Sequence, residues 1–133
     1  MKKSIFVVAA TGLILSACAS HQTHAIKVDP ANPRVSIVDG KRIAVDQETI
    51  TFAKGVQNFR INWQLPADSK YVFPKDGIVV KDAREEIVDC RPEKDGRSFS
   101  CLNKNTRPGK YKYNIKVEGT PAIPELDPVI VNG

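Results

Sequence analysis

The chain of 133 residues holds one methionine, one tryptophan and two histidines. Both histidines, His21 and His24, fall in a polar stretch near the amino end, and none follows. The usual base for a serine or cysteine nucleophile is therefore missing from the rest of the chain. Copper of the His-Cys-Met kind has no ligand set there either. There is no glycine-rich phosphate loop and no Asp-x-Asp-x-Asp-Gly calcium array. His21 and His24 have no third metal ligand near them. No apolar run reaches the roughly 18 residues that cross a bilayer as a helix. Beyond the first apolar run, no segment carries a helical pattern of useful length.

The amino end carries the strongest local signal. Met1-Lys2-Lys3 precedes a short apolar core over residues 5–15, the order of an export signal. Ser16 and Ala17 are small, as a signal peptidase requires beside its cut. Leu15-Ser16-Ala17-Cys18 resembles the lipobox of bacterial lipoproteins. That resemblance implies a diacylglyceryl group on Cys18 Sγ, cleavage before Cys18, and acylation of the freed amine. One acyl chain binds membranes marginally, whereas two or more anchor stably. Ala19 stands where inner-membrane lipoproteins carry aspartate, which implies an outer-membrane location facing the periplasm. A Gram-positive surface lipoprotein fits the same motif. The expected organisation is a signal at 1–17, a lipidated tether at 18–28 and one domain at 29–133.

Twenty basic and fifteen acidic residues give a formal charge of +5. Loss of Lys2 and Lys3 with the signal leaves +3, well mixed along the chain. Modest charge and an envelope address argue against nucleic acid as a partner. If Cys18 is lipidated, Cys90 and Cys101 remain in a compartment that permits disulfides. A structural bridge between them would contribute about 3 kcal/mol by loop entropy. A redox pair or metal thiolates are the competing readings. Redox pairs sit as Cys-x-x-Cys at a helix start, and this spacing does not match.

From Asp29-Pro30 onward the chain reads as short strands broken by turns. Residues 34–38 and 42–45 flank Asp39-Gly40, a tight-hairpin signal. Further runs fall at 49–52, 71–73, 78–80, 87–90, 97–102 and 129–131. Residues 82–86 have weak helical propensity, enough for one turn or a loop. Two runs alternate clearly. In one, Phe59, Ile61, Trp63 and Leu65 share a face; in the other, Tyr111, Tyr113, Ile115 and Val117 do. Both are expected to be central, with Trp63 a core anchor. The pattern predicts an all-β domain, a two-layer antiparallel β-sandwich.

Pro108-Gly109-Lys110-Tyr111-Lys112-Tyr113, followed by Asp127-Pro128-Val129-Ile130-Val131, resembles the last hairpin of immunoglobulin-like or cupredoxin-like sandwiches. Gly109-x-Tyr111 is similar to a tyrosine corner. The likeness covers the last quarter of the chain. Trp63 precedes both cysteines, and those lie too close together for an immunoglobulin inter-sheet bridge.

No catalytic set, metal site or cofactor emerges. Acid pairs, Glu85-Glu86 with Asp82 and Glu93 with Asp95, sit in polar stretches and read as solvated surface. The turn residues Asp29, Asp39, Asp46 and Asp76 form no ligand array. The expectation is a non-catalytic interaction or structural module of the cell envelope, binding an envelope protein or a cell-wall component. Its candidate surface is Tyr71, Phe73, Arg84, Arg91, Arg97 and Arg107. Two alternatives stand beside it. One is an inhibitor of an envelope-targeting enzyme such as lysozyme, presenting the Cys90–Cys101 loop with Arg91, Glu93, Lys94 and Asp95. The other is an accessory lipoprotein of a secretion machine.

Overall fold

A computed structural model describes residues 27–133. The expected signal, Cys18, and most of the tether with His21 and His24 lie outside the described residues. Nine strands follow in order: β1 (Val35–Val38), β2 (Arg42–Val45), β3 (Thr49–Phe52), β4 (Phe59–Gln64), β5 (Ile78–Val80), β6 (Ile87–Pro92), β7 (Ser98–Asn103), β8 (Gly109–Ile115) and β9 (Val129–Asn132). The all-β sandwich expected from the alternation is what the chain forms. A four-stranded sheet β3-β9-β8-β5 faces a three-stranded sheet β4-β7-β6, and β1-β2 stands as a separate hairpin. One pairing departs from an antiparallel scheme, since β3 runs parallel to β9, with Ile50 opposite Ile130.

The two alternating runs supply the core, as their pattern demands. Ile61, Trp63, Tyr113 and Ile115 are all 0 % exposed. Trp63 spans the layers and its Nε1–H donates to Tyr113 Oη at 3.2 Å, with the rings 5.3 Å apart. A buried indole or phenol keeps its polar atom only with a partner, and here each serves the other. Burial pushes the Tyr113 phenol far above its ordinary pKa, and the Trp63 hydrogen bond offsets only part of that. On the opposite face of β8, Lys110 and Lys112 are exposed, so this sheet turns a wet surface outward.

A second cross-layer contact is polar. Asn103 at the end of β7 and Asn132 at the end of β9 exchange amide hydrogen bonds at 2.8 and 3.0 Å. Their exposures are 0 % and 2 %. Asn103 Oδ1 also accepts the N–H of Asn105. Asn105 Nδ2 in turn donates to the carbonyls of Ala53 and Val56, fastening the loop after β3.

Strand β8 is interior to its sheet, as expected, but β4 is not: it lies at the end of the order β4-β7-β6. Its outer side is covered by irregular chain. The N–H of Asn62 donates to Ala31 O at 2.8 Å, and that of Gln64 to Pro33 O at 3.0 Å. Prolines at 30 and 33 keep this cover from becoming a regular strand. Asp29 folds it back, its carboxylate accepting from Ala31 N–H and Asn32 Nδ2, and buried Gln47 donates to Asp29 O.

Cys90 and Cys101 form a disulfide. The register between β6 and β7 slips by one residue between Val88 and Arg91, so Asp89 and Cys90 together oppose Cys101. Asp89 adopts φ +52°, the left-handed conformation of the first residue of a G1 bulge. The bridge therefore pins a bulge.

Residues 71–73 form no strand, since only Val72 pairs, in a single bridge with Glu118. Residues 82–86 are a loop, with positive φ at Asp82, Arg84 and Glu85. At Asp39 and Gly40 the φ values of +52° and +61° meet the left-handed requirement of a tight hairpin turn.

Gly119 lies against the buried Tyr71 ring, where an added Cβ would sit 2.3 Å from Tyr71 Cδ1. Gly119→Ala should therefore cost about 1–3 kcal/mol through overpacking, read as a lower urea midpoint. Asn132→Leu should cost about 1–3 kcal/mol by orphaning Asn103. The double variant Asn103→Leu with Asn132→Leu should cost less than the sum of the single variants. Additive losses in that cycle would refute the reciprocal pair.

Candidate functional site

The residues expected to form a surface do not come together. Tyr71 and Phe73 are core side chains, 6 % and 3 % exposed. Tyr71 Oη donates to Pro121 O at 2.7 Å, and Phe73 meets Phe99 edge-on at 5.9 Å. The short apolar run that placed them in a strand is instead a buried connector. The four arginines divide between two places. Arg107 adjoins Glu86 and Arg84 is exposed in the loop before it, while Arg91 and Arg97 belong to the hairpin of β6 and β7.

Glu86 is the acid whose position the sequence obscured. It is 4 % exposed, not part of the solvated surface. Its Oε2 accepts the N–H of Thr106 at 2.8 Å and of Arg107 at 3.3 Å, and its Oε1 accepts from Thr106 Oγ1. These donors, led by the Thr106 hydroxyl, hold its carboxyl below the usual range. Glu86 thus replaces the missing main-chain partners of residues 106 and 107 just before β8, a structural task. A neighbour in sequence, Glu85, is exposed, so the pair Glu85-Glu86 offers no shared acid-base site.

On the outer face of the three-stranded sheet, the β6 bulge turns Asp89 toward two arginines. Asp89 Oδ2 meets Arg60 at 2.8 Å and Oδ1 meets Arg91 at 2.6 Å. Arg60 also donates to Ser100 Oγ, which donates to Glu93 at 2.7 Å. Arg60 and Arg91 hold the Asp89 carboxyl below its ordinary range. One acid, Asp89, thus serves both arginines, and Glu93 joins the network through Ser100.

The turn of the Cys90–Cys101 loop is anchored to the body of the domain, with Lys94 and Asp95 exposed. Gly96 N–H donates to Glu93 O at 2.9 Å, closing a tight turn, and Gly96 O accepts from Phe73 N–H at 2.7 Å. The turn packs on Val72, which an added Cβ at Gly96 would meet at 3.1 Å. A reach into an enzyme cleft has no support in this geometry.

The concave feature lies elsewhere, along the hairpin. A groove of about 590 Å³ runs between β1 and residues 64–67, with Val35, Val45 and Leu65 among its lining residues. It continues past Arg34 toward Val28 and past Pro66 toward Tyr71. The cause is one residue. Asn62 and Gln64 donate in series to Ala31 O and Pro33 O. The next donor in the series would be residue 66, which is proline and has no N–H. Pairing stops there, and the chain parts from β1.

Hydrogen bonding inside the hairpin fixes which groups face the gap. Asp46 N–H donates to Arg34 O at 3.0 Å, and residue 35 pairs with 45 and 37 with 43. By the alternation of an antiparallel ladder, the main-chain groups of Val35 and Ile37 point away from β2. The parallel bridge of Arg34 with Gln64 takes the Val35 N–H, which leaves Val35 O and both groups of Ile37 toward the groove. Arg34 stands at the mouth. It is exposed, and its guanidinium forms no ion pair among the described residues. Pro66 after an alternating run was the available signal. Its effect depends on residues 31–33 lying alongside, which no local pattern announces.

No group of three His, Cys, Asp or Glu side chains among the described residues is placed to hold a metal. No known protein family and no curated protein matches the chain.

Because the folded-state pKa of Glu86 is lowered, its contribution to stability is complete above its ordinary value of 4.5 and fades as pH falls through the lower folded value. Glu86→Gln should destabilise the domain at pH 7, and the gap to wild type should narrow below pH 4.5. Urea titrations across the acid range check this, and a pH-independent gap would refute it.

Proposed function

We propose that the protein is a lipid-anchored envelope lipoprotein whose domain works by binding rather than by catalysis. The observation that carries this reading is Leu15-Ser16-Ala17-Cys18, placed behind a short apolar core. Lipid on Cys18 would leave a polar stretch to residue 28, ahead of the first fixed turn at Asp29–Asn32. That stretch is long enough to hold the domain near a membrane face without embedding it. Ala19 favours the outer membrane and its periplasmic side.

The reading of the domain as an interaction module is supported by what its polar groups do. Glu86, Asp89, Glu93, Asn103 and Asn132 are engaged by neighbours within the fold. At the hairpin edge, Val35 O and the main-chain groups of Ile37 face away from β2, where a partner is accommodated more readily than a reaction. A partner among the proteins or glycans of the envelope, including a component of a secretion machine, suits such a surface. The inhibitor reading loses its main support, because its expected loop is tied down at Phe73.

Cys18→Ser should abolish incorporation of a labelled fatty acid and move the protein out of the membrane fraction. Retention of label or of membrane association by this variant would refute anchoring through Cys18. In-cell crosslinking of the wild-type protein should give a discrete envelope partner, and its absence would refute the interaction module.

A further inference from the structure

We propose that the groove beside β1 takes an extended peptide segment, bearing a carboxylate toward Arg34, by strand addition to Val35–Val38. This deepens the interaction-module reading and rests on it, but not on the lipid anchor.

The occupant follows from the wall. Pro66 leaves Val35 O without the donor that Ala31 O and Pro33 O receive from residues 62 and 64. Two residues on, Ile37 turns its N–H and C=O the same way, since it occupies the same kind of position in the ladder. An extended chain repeats its own donors and acceptors every two residues, or about 7 Å, and so matches this wall in register. Peptides that add to a free sheet edge draw affinity from such main-chain bonds and specificity from alternate side chains. Here the inward-facing side chains of the peptide would meet Val45 and Pro66, the lining apolar residues that are not buried in the core. The opposite ones would face solvent beside Ser36.

Charge selects the end. Arg34 is an exposed cation at the mouth, with exposed Lys27 beyond it. The nearest acid in the groove, Asp46, already accepts the Arg34 main-chain N–H through Oδ1 at 2.8 Å. A carboxylate on the peptide would give the guanidinium the partner it lacks. Val28, 46 % exposed, adds an apolar contact beyond it. A second copy of the domain is a poorer fit. Its β1 is backed by β2, whereas this edge is walled on its far side by residues 65–67.

The test uses the full-length lipoprotein in detergent, probed with phage-displayed random decapeptides containing at least one Asp or Glu. A selected peptide, resynthesised, should slow exchange of the Ile37 amide hydrogen. N-methylation of the peptide should weaken binding about tenfold or more, and only at alternate positions. Ala67→Trp, at an exposed groove position, should abolish binding. Arg34→Glu should weaken it about tenfold, and Arg34→Lys should restore most of it. If Ala67→Trp does not fold, the Ile37 exchange and the N-methyl series on wild type decide. Binding that ignores both the groove variants and Ile37 overturns the groove and leaves the interaction module standing. Failure to select any peptide overturns the peptide groove and leaves the interaction module to the crosslinking test. A dimer in sedimentation that Ala67→Trp dissociates overturns the peptide in favour of a second copy.

Discussion

Two buried side-chain amides fix how the layers of this sandwich meet. Apolar faces tolerate sliding, because one register of packed methyl groups is nearly as favourable as the next. Asn103 and Asn132 do not, since each amide must find both a donor and an acceptor in a place water does not reach. Their reciprocal bonds at 2.8 and 3.0 Å occur in one alignment of β7 over β9. Asn105 then carries that alignment outward to the loop after β3. The Trp63–Tyr113 pair applies a looser version of the same rule nearer the middle of the core.

Polar groups do comparable work at the margins. Glu86 supplies three acceptor contacts to residues 106 and 107, so a charged side chain completes the entry to β8. Asp89 sits in a bulge that the disulfide holds and directs its charge at Arg60 and Arg91. In each place a sequence-local feature, an acid run or a cysteine pair, proves to be the end of a contact formed across the fold.

That is also the measure of what the sequence discloses. Alternation at residues 59–65 and 110–117 identifies the core strands and Trp63 as their anchor, because period-two burial is a local property. Asp39-Gly40 identifies the hairpin for the same reason, its turn being set by two residues. The disulfide requires only counting. Tyr71 and Phe73 read as surface residues and are core, because a three-residue apolar run does not say whether it pairs as an edge or threads the interior. Glu86 looks like its exposed neighbour Glu85, since what distinguishes them is the approach of Thr106. The groove is least legible of all. Proline at 66 is visible, but the carbonyl it fails to serve belongs to residue 35, and only the folded chain sets the two side by side.

The parallel pairing of β3 with β9 has a consequence in time. Strand β9 lies between β3 and β8, so the sheet has its middle filled by residues 129–132. A chain delivered from its amino end presents Thr49–Phe52 long before any partner exists for them in the four-stranded sheet. The hairpin of β1 and β2 and the β6–β7 pair can assemble from nearby residues, whereas closure of the larger sheet waits for distant ones, the slow kind of contact. Emergence therefore leaves Thr49 to Phe52 as an unclaimed edge until residues 129–132 follow.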